Sequence, residues 1–266
     1  MTAGFTTTLR AEWTKLRTVP GTVWLLAAAI VLTVAVSTAA MAATRCPVGT
    51  GCPVDTTKLS LTGVQFGQAV VAILAILAVL GIGSEYSTGM TRTSLTAMPR
   101  RAVVLAAKAA VTAGPVLAAG VIAVAGSLLA GRLILPGHGF TAARGFPLLS
   151  LADGPVLRAA AGSVLYLALI ALLSLGIATA VRDSAVAIGV VLGLLYLFPI
   201  IAALAANPQW QRHLEQFGPM TAGLEIEATT GLHSLPISPW AGLGVLAAWA
   251  AAALLAGGLL IRLRDA

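Results

Sequence analysis

The residues of this chain best suited to polar contacts with a partner lie in one short block, GIGSEYSTGMTRTSLTAMPRR, at positions 81–101. The block holds Glu85, Arg92 and Arg100 among several hydroxyl groups, and apolar runs precede and follow it. Carboxylate and guanidinium groups can form charge-assisted hydrogen bonds with a partner surface. The alternative interpretation is an ordinary loop whose arginines only set the membrane topology, although that leaves Glu85 and the hydroxyl groups unexplained.

The spacing within this block predicts a short amphipathic helix. Tyr86, Met90 and Thr93 can share one helix face, and Gly89 is a flexible point between them. Pro99 stops the helix. The block therefore presents either a docking surface of helical form or a simple loop.

Motifs for catalysis and nucleotide binding are absent from the sequence. Neither GxxxxGK[ST] nor GxSxG occurs, so the chain has no P-loop and no nucleophile elbow. The three histidines, His138, His213 and His233, are far apart in sequence and have no nucleophile or metal-ligand pattern beside them. We therefore expect no catalytic residues, no metal site and no cofactor in this chain.

The composition predicts that lipid rather than water surrounds most of the chain. Of its 266 residues, 58% are hydrophobic and 9% are charged, whereas soluble domains contain about a quarter charged residues. The net charge is +7. The basic residues flank apolar runs instead of alternating with aromatic residues, which argues for an anionic inner leaflet and against nucleic acid as the partner.

Six apolar runs are long enough to cross a hydrocarbon core of about 30 Å as helices. We predict an all-α membrane protein with six transmembrane helices in one bundle and a single domain over residues 1–266. The predicted spans are residues 21–43, 64–83, 111–134, 156–181, 185–206 and 241–261. With the N-terminus inside, most of the 16 Lys and Arg residues fall in inner segments, which predicts that both termini are cytoplasmic.

The residues before the first span predict an interfacial helix over positions 5–19. Arg10 and Arg17 share one face, and Trp13 lies on an apolar face where it suits the depth of the lipid headgroups. Pro20 then breaks the helix. A merely solvated N-terminal extension is the alternative.

Two predicted outer segments have further features. Cys46 and Cys52 are the only cysteines, and on an oxidising side they can close a short Gly- and Pro-containing turn as a disulfide; two free thiols are the alternative. Residues 207–240 form an outer cap that begins with an amphipathic helix. That cap either covers a translocation path and contacts cargo, or only packs on the bundle.

The positions of the acidic residues indicate which energy source could drive transport by this chain. All nine lie outside the predicted span cores, whereas proton-driven carriers commonly place Asp, Glu or His within the membrane. We therefore expect that a partner supplies the energy for any transport.

Four stretches resemble a known family when they are taken in order. They are LRAEWTKLRTVPGTVWLL, GSEYSTGMTRTSLTAMPRRAVVLAAKAAV, AVRDSAVAIGVVLGLLYLFPII and SPWAGLGVLAAWAAAALLAGGLLIRLRDA. Together they are similar to the permease subunits of type-two ABC transporters, above all to the single-domain permeases of actinobacteria. The likeness covers nearly the whole chain and is strongest in the block E-Y-S-T-G-x-x-R-x-S-L-x-x-x-P-R-R.

The resemblance implies a function that composition does not. It implies the membrane subunit of an ATP-driven ABC exporter in the bacterial plasma membrane, paired as a homodimer. Separate ATPase subunits would bind the ATP and Mg. Residues 5–19 would be the elbow helix, residues 84–99 the cytoplasmic coupling helix, and residues 207–240 a re-entrant outer cap. The implied ATPase-coupling residues are Glu85, Tyr86, Gly89, Arg92, Leu95, Pro99 and Arg100.

Two other classes of function stay open at the level of sequence. One is an autonomous secondary carrier or channel. The other is a membrane assembly or immunity protein that acts by binding and transports nothing.

Overall fold

A computed structural model describes residues 20–46, 52, 54–65, 101–181 and 183–264. Within these ranges every regular element is helical. The α-helices are α1 (Pro20–Ala43), α2 (Thr56–Ser60), α3 (Thr62–Gln65), α4 (Arg101–Ile134), α5 (Gly154–Val181), α6 (Ser184–Leu204), α7 (Pro208–Phe217), α8 (Pro219–Leu224) and α9 (Pro239–Arg264). Short 3-10 helices cover Leu135–His138, Ala142–Arg144, Glu225–Glu227 and Leu232–Ser234.

Five of these helices, α1, α4, α5, α6 and α9, are long and apolar enough to cross a membrane. They confirm the all-α prediction for the described residues, and they coincide with five of the six predicted spans. The second predicted span, residues 64–83, lies outside the described residues apart from Val64 and Gln65, which end α3. The predicted interfacial helix at 5–19 and coupling segment at 84–99 also lie outside them.

Each spanning helix differs from its predicted span at one or both ends; the largest difference is at the start of α4, and the end of α6 also differs. α4 begins at Arg101 instead of at residue 111, so Lys108 lies within a helix and not in a loop. At about 1.5 Å per residue, its 34 residues exceed a hydrocarbon core of about 30 Å, so one end extends beyond the core. α6 ends at Leu204, before the predicted residue 206, and Asn207 then caps α7 by accepting a hydrogen bond from Gln209 N at 2.8 Å.

α5 is the central helix of the described bundle. It packs against α9, α4 and α6, and buried residues occur along its whole length. α1 instead buries a single stripe with a spacing of four, at Ala29, Thr33, Ser37 and Met41. This stripe is what a helix at the rim of a bundle presents to its neighbours, here α2, α3 and α4.

Three segments meet at one end of the bundle, which we call the cap end. The first follows α1, the second joins α4 to α5, and the third is residues 205–238 between α6 and α9, which we call the cap. Cys46 N donates a hydrogen bond to His138 O at 3.0 Å, and Arg144 Nη1 donates to Cys46 O at 3.0 Å. Thr229 N of the cap donates to Asp55 Oδ2 of the first segment at 2.6 Å. The sequence predicts all three segments on the same side of the membrane, and these contacts agree with that.

α5 and α9 approach each other closely at two glycines. A methyl group on Gly257 would overlap Thr179 Oγ1 and lie 2.8 Å from Gly176 O. Gly244, on the same helix, faces open space. Small residues let spanning helices pack at short distance where lipid provides no hydrophobic driving force between them.

The substitution Gly257→Ala tests this crossing. Because the added methyl group meets the α5 backbone, we expect a loss of about 1–3 kcal/mol in the free energy of unfolding. Gly244→Ala is the matched control and should cost nothing measurable. The measurement is thermal unfolding of the purified chain in detergent. Equal stability of the two variants would show that the helices are not in contact at Gly257.

Candidate functional site

The cap is docked on α5 through its 3-10 turn Glu225–Glu227. Ile226 lies against Gly162, where any added methyl group would overlap its side chain. Gly223 lies over the ring of Tyr166, with an added Cβ only 2.9 Å from Cδ2. These two glycines let the backbones of the cap and α5 come close, and Ile226 and Tyr166 are completely buried as a result.

Glu227 is a fully buried acid at this contact. Its Oε1 accepts a hydrogen bond from Ser163 Oγ at 3.1 Å, and Ser163 is also fully buried in α5. Gln65 lies close enough to lower the pKa of Glu227. Even so, Oε2 has no hydrogen bond of normal geometry among the described residues. The carboxyl group therefore has few donors to stabilise a negative charge.

Burial raises the pKa of Glu227 to about 8. The cause is the loss of hydration, which penalises the charged carboxylate more than the neutral acid. The hydrogen bond from Ser163, the charge of Lys58 and the side chain of Gln65 act in the opposite direction, while the charge of Asp55 adds to the increase. At neutral pH Glu227 is thus mostly protonated.

A second acid, Asp55, joins the cap to the first half of the chain. Its carboxylate accepts hydrogen bonds from Thr229 N at 2.6 Å, Thr229 Oγ1 at 2.7 Å and Thr230 N at 2.9 Å. The same group caps α2 by accepting from the backbone N atoms of Thr57 and Lys58, at 3.0 and 3.1 Å. We call these contacts the Asp55 clasp.

The partly buried Asp55 and the fully buried Glu227 have opposite electrostatic environments. Burial alone would raise the pKa of Asp55, but the hydrogen bonds from Thr229, Lys58 and Thr230 outweigh it, so the pKa lies below its ordinary value. Asp55 is therefore ionised at neutral pH, whereas Glu227 keeps its proton. The carboxylate with many donors holds the cap in place, and the one with few donors can exchange a proton.

Two further contacts support the docked cap. Arg158 Nη2 of α5 donates a hydrogen bond to Ala228 O. Lys58 Nζ lies 3.8 Å from Glu225 Oε2. Burial raises the pKa of Glu225, while Lys58 lowers it and Glu215 raises it further. At that separation, and with Lys58 partly exposed, the ion pair is a weak contact.

Among the site residues predicted from the sequence, only Cys46 and Cys52 lie in the described part of the chain. Cys46 and Cys52 form a disulfide with their Cα atoms 6.0 Å apart, and it lies just before the Asp55 clasp in sequence. The coupling residues from Glu85 to Arg100 lie outside the described part of the chain, as do Arg10, Trp13 and Arg17. Their roles stay predictions.

The residues of the cap contact were not singled out in the sequence. Glu227 is outside the spanning helices, as predicted for all the acids, but the fold of the cap brings it against Ser163. The stretch GLEIEA, with an apolar residue between two acids, is a possible signal of partial burial. Asp55 followed by Thr-Thr-Lys resembles a helix N-cap. No sequence pattern joins Asp55 to Thr229, 174 residues away.

In the described part of the chain all regular elements are helical, and five helices long and apolar enough to cross a membrane give it the architecture of a multi-pass membrane protein. Within the described ranges no group of three or more His, Cys, Asp or Glu residues is placed to hold a metal ion. The chain matches no protein-family model and no curated protein sequence.

The first prediction from this site concerns the Asp55 clasp. Asp55→Ala removes the α2 cap and the hydrogen bonds to the cap, whereas Asp183→Ala removes only the cap of α6, a hydrogen bond of 2.8 Å to Val186 N. We expect Asp183→Ala to cost about 1 kcal/mol, and Asp55→Ala about 2 kcal/mol more, because bonds to a charged acceptor are stronger. The measurement is thermal unfolding at neutral pH. A clasp that contributes nothing would give equal losses.

The second prediction concerns pH. Since the pKa of Glu227 is raised in the folded protein, the folded state binds an extra proton between the unfolded pKa and about 8, so stability falls as pH rises through that window. Glu227→Gln cannot ionise and should remove this part of the decline, leaving a higher Tm than the native chain above about pH 8. Asp153→Asn, an exposed acid-to-amide control, should keep the native slope. If Glu227→Gln also keeps it, the buried acid is not the group responsible.

Proposed function

We propose that this chain is the membrane-spanning permease subunit of an ATP-driven exporter of the type-two ABC kind in a bacterial plasma membrane. Two copies would form the substrate path as a homodimer. The ATP and Mg would be bound by a separate ATPase subunit. This chain would convert the movement of that ATPase into opening and closing of the path.

The observation that carries the proposal is the cap. The resemblance implies a re-entrant outer cap between the last two spans. The described cap lies in this position and folds back against the bundle. Its helix α7 packs against α6, α8 packs against α9, and the turn Glu225–Glu227 packs against α5. A loop that merely joins two spans needs no such burial, whereas Ile226 and Glu227 are completely buried. The resemblance of residues 84–101 to a coupling helix supports the same function from the sequence.

The described contacts supply a route for coupling in this proposal. α4 begins at Arg101, directly after the block that resembles the coupling helix. α4 packs along α5, and α5 in turn holds the cap at Gly162 and Ser163. A movement of the ATPase that shifts the start of α4 would thus reach the cap through one intermediate helix.

The substitution Arg92→Glu tests the proposal. We expect a P-loop ATPase to be encoded in the neighbouring reading frame and to copurify with the native chain. Reversing the charge at Arg92 should lower copurification and transport-stimulated hydrolysis by about tenfold, equivalent to the loss of a charge-assisted contact of about 1.4 kcal/mol. Arg132→Glu, a charge reversal near the cap end, is the control and should leave both values unchanged. Unchanged copurification in Arg92→Glu would remove Arg92 from this role.

One observation favours the alternative of an autonomous carrier. Glu227 is a buried acid that is protonated at neutral pH, and such groups can relay protons in proton-coupled transport. The alternative predicts transport in proteoliposomes that contain this chain and a proton gradient but no ATPase. A non-transporting assembly or immunity protein would instead keep its function when the P-loop of the partner is inactivated. These outcomes separate the three classes.

A further inference from the structure

We propose that Glu227 is a proton-binding site that controls the docking of the cap on α5. With the proton bound, the turn Glu225–Glu227 stays buried against α5. When the proton leaves, this turn moves out of its contact and the carboxylate becomes hydrated. The inference does not depend on which source of energy drives transport, because it concerns the contact between the cap and the bundle alone.

The geometry of the turn makes docking depend on a neutral carboxyl group. Glu227 lies between Ile226 and Ala228, which are also buried, and Ser163 Oγ is its one hydrogen-bond donor of normal geometry among the described residues. A buried carboxylate whose donors among the described residues are the neutral side chains of Ser163 and Gln65 is strongly disfavoured relative to a hydrated one. The chain can relieve that cost by binding a proton or by releasing the turn.

Among the described residues, the charged and titratable groups around Glu227 do not provide a dedicated counter-ion. From the segment before α3, Lys58 favours the ionised form and Asp55 disfavours it. Lys58 is partly exposed and lies 3.8 Å from Glu225, so its charge is shared with another acid. The remaining neighbours are Arg158, which binds Ala228 O, Tyr166 on α5, and Tyr196 on α6, which interacts with Tyr166.

The Asp55 clasp provides the fixed point about which the turn can move. Asp55 holds Thr229 and Thr230, which follow the turn after Ala228. Its lowered pKa keeps it ionised across the pH range in which Glu227 titrates. Gly231 comes next with a φ of 64°, a left-handed conformation that glycine adopts without strain. Loss of the proton therefore releases the turn while the rest of the cap stays attached.

Hydrogen–deuterium exchange of the full-length chain in lipid nanodiscs tests this inference. Peptides covering residues 219–230 are followed from about pH 6 to about pH 9.5, with rates corrected for intrinsic exchange. In the native chain we expect the corrected rate to rise about tenfold or more across this range, as local opening follows loss of the proton. In Glu227→Gln the corrected rate should stay at the low-pH value throughout.

Two substitutions of neighbours separate a proton switch from a simple packing contact. Ser163 and Lys58 both lower the pKa of Glu227, so Ser163→Ala and Lys58→Gln should move the midpoint of the exchange increase to higher pH. A packing role would change the rate at every pH without moving the midpoint. Asp153→Asn is the control and should reproduce the native curve.

The outcomes are decisive in both directions. A rise that persists in Glu227→Gln, or a midpoint that is unmoved in both neighbour variants, would overturn the inference. Retained circular dichroism and monodisperse gel filtration verify that each variant is folded. If Glu227→Gln does not fold, the midpoints of the other two variants still decide. The exchange experiment does not test copurification with an ATPase. The proposed permease function and the proposed proton site at Glu227 can therefore fail independently.

Discussion

The carboxylate of Asp55 is the contact on which the arrangement of the cap end depends. It caps α2, which packs against α1 and α4, and it binds Thr229 and Thr230 in the cap, which packs against α5, α6 and α9. One ionised group thus links elements that touch all five described spanning helices. Several backbone N–H groups donate to this carboxylate, and hydrogen bonds to a charged acceptor are stronger than neutral ones. An exposed ion pair in the same place would contribute little.

Ser163 and Ser37 differ from the other buried hydroxyl groups of the spanning helices for which a bond is seen, because each bonds a second element. Ser37 Oγ of α1 accepts a hydrogen bond from Gly63 N of α3 at 2.9 Å. Thr33, Ser174 and Thr179 donate to carbonyl groups three or four residues earlier in their own helices. Such local bonds satisfy a hydroxyl in an apolar environment without constraining what packs beside it. Ser163 instead donates to Glu227 of the cap. Thr33, Ser174 and Thr179 are therefore satisfied within their own helices, whereas Ser37 and Ser163 each bond a second element at the cap end.

The spanning helices could be predicted from the sequence because their signal is local: about 20 apolar residues in succession specify each one. The disulfide could also be predicted from the sequence, because its two cysteines are only six positions apart. The docking of the cap could not be predicted, because neither Gly162 nor Ile226 has a sequence signal that indicates a contact. Only the fit of Ile226 against Gly162 buries Glu227. α4 begins before the predicted span because hydropathy indicates the part of a helix that lies in the membrane, whereas helix formation continues through Lys108 into the flanking segment.

The distance along the chain between Asp55 and Thr229 has a consequence for biogenesis. Asp55 emerges from the ribosome 174 residues before Thr229. The helices α4, α5 and α6 are all synthesised in the interval, so the clasp can close only after most of the protein has been inserted. Until then the acceptor oxygens of Asp55 that face the cap are solvated. The closed clasp therefore marks a chain in which α4, α5 and α6 have already been made, while α9 is still to follow.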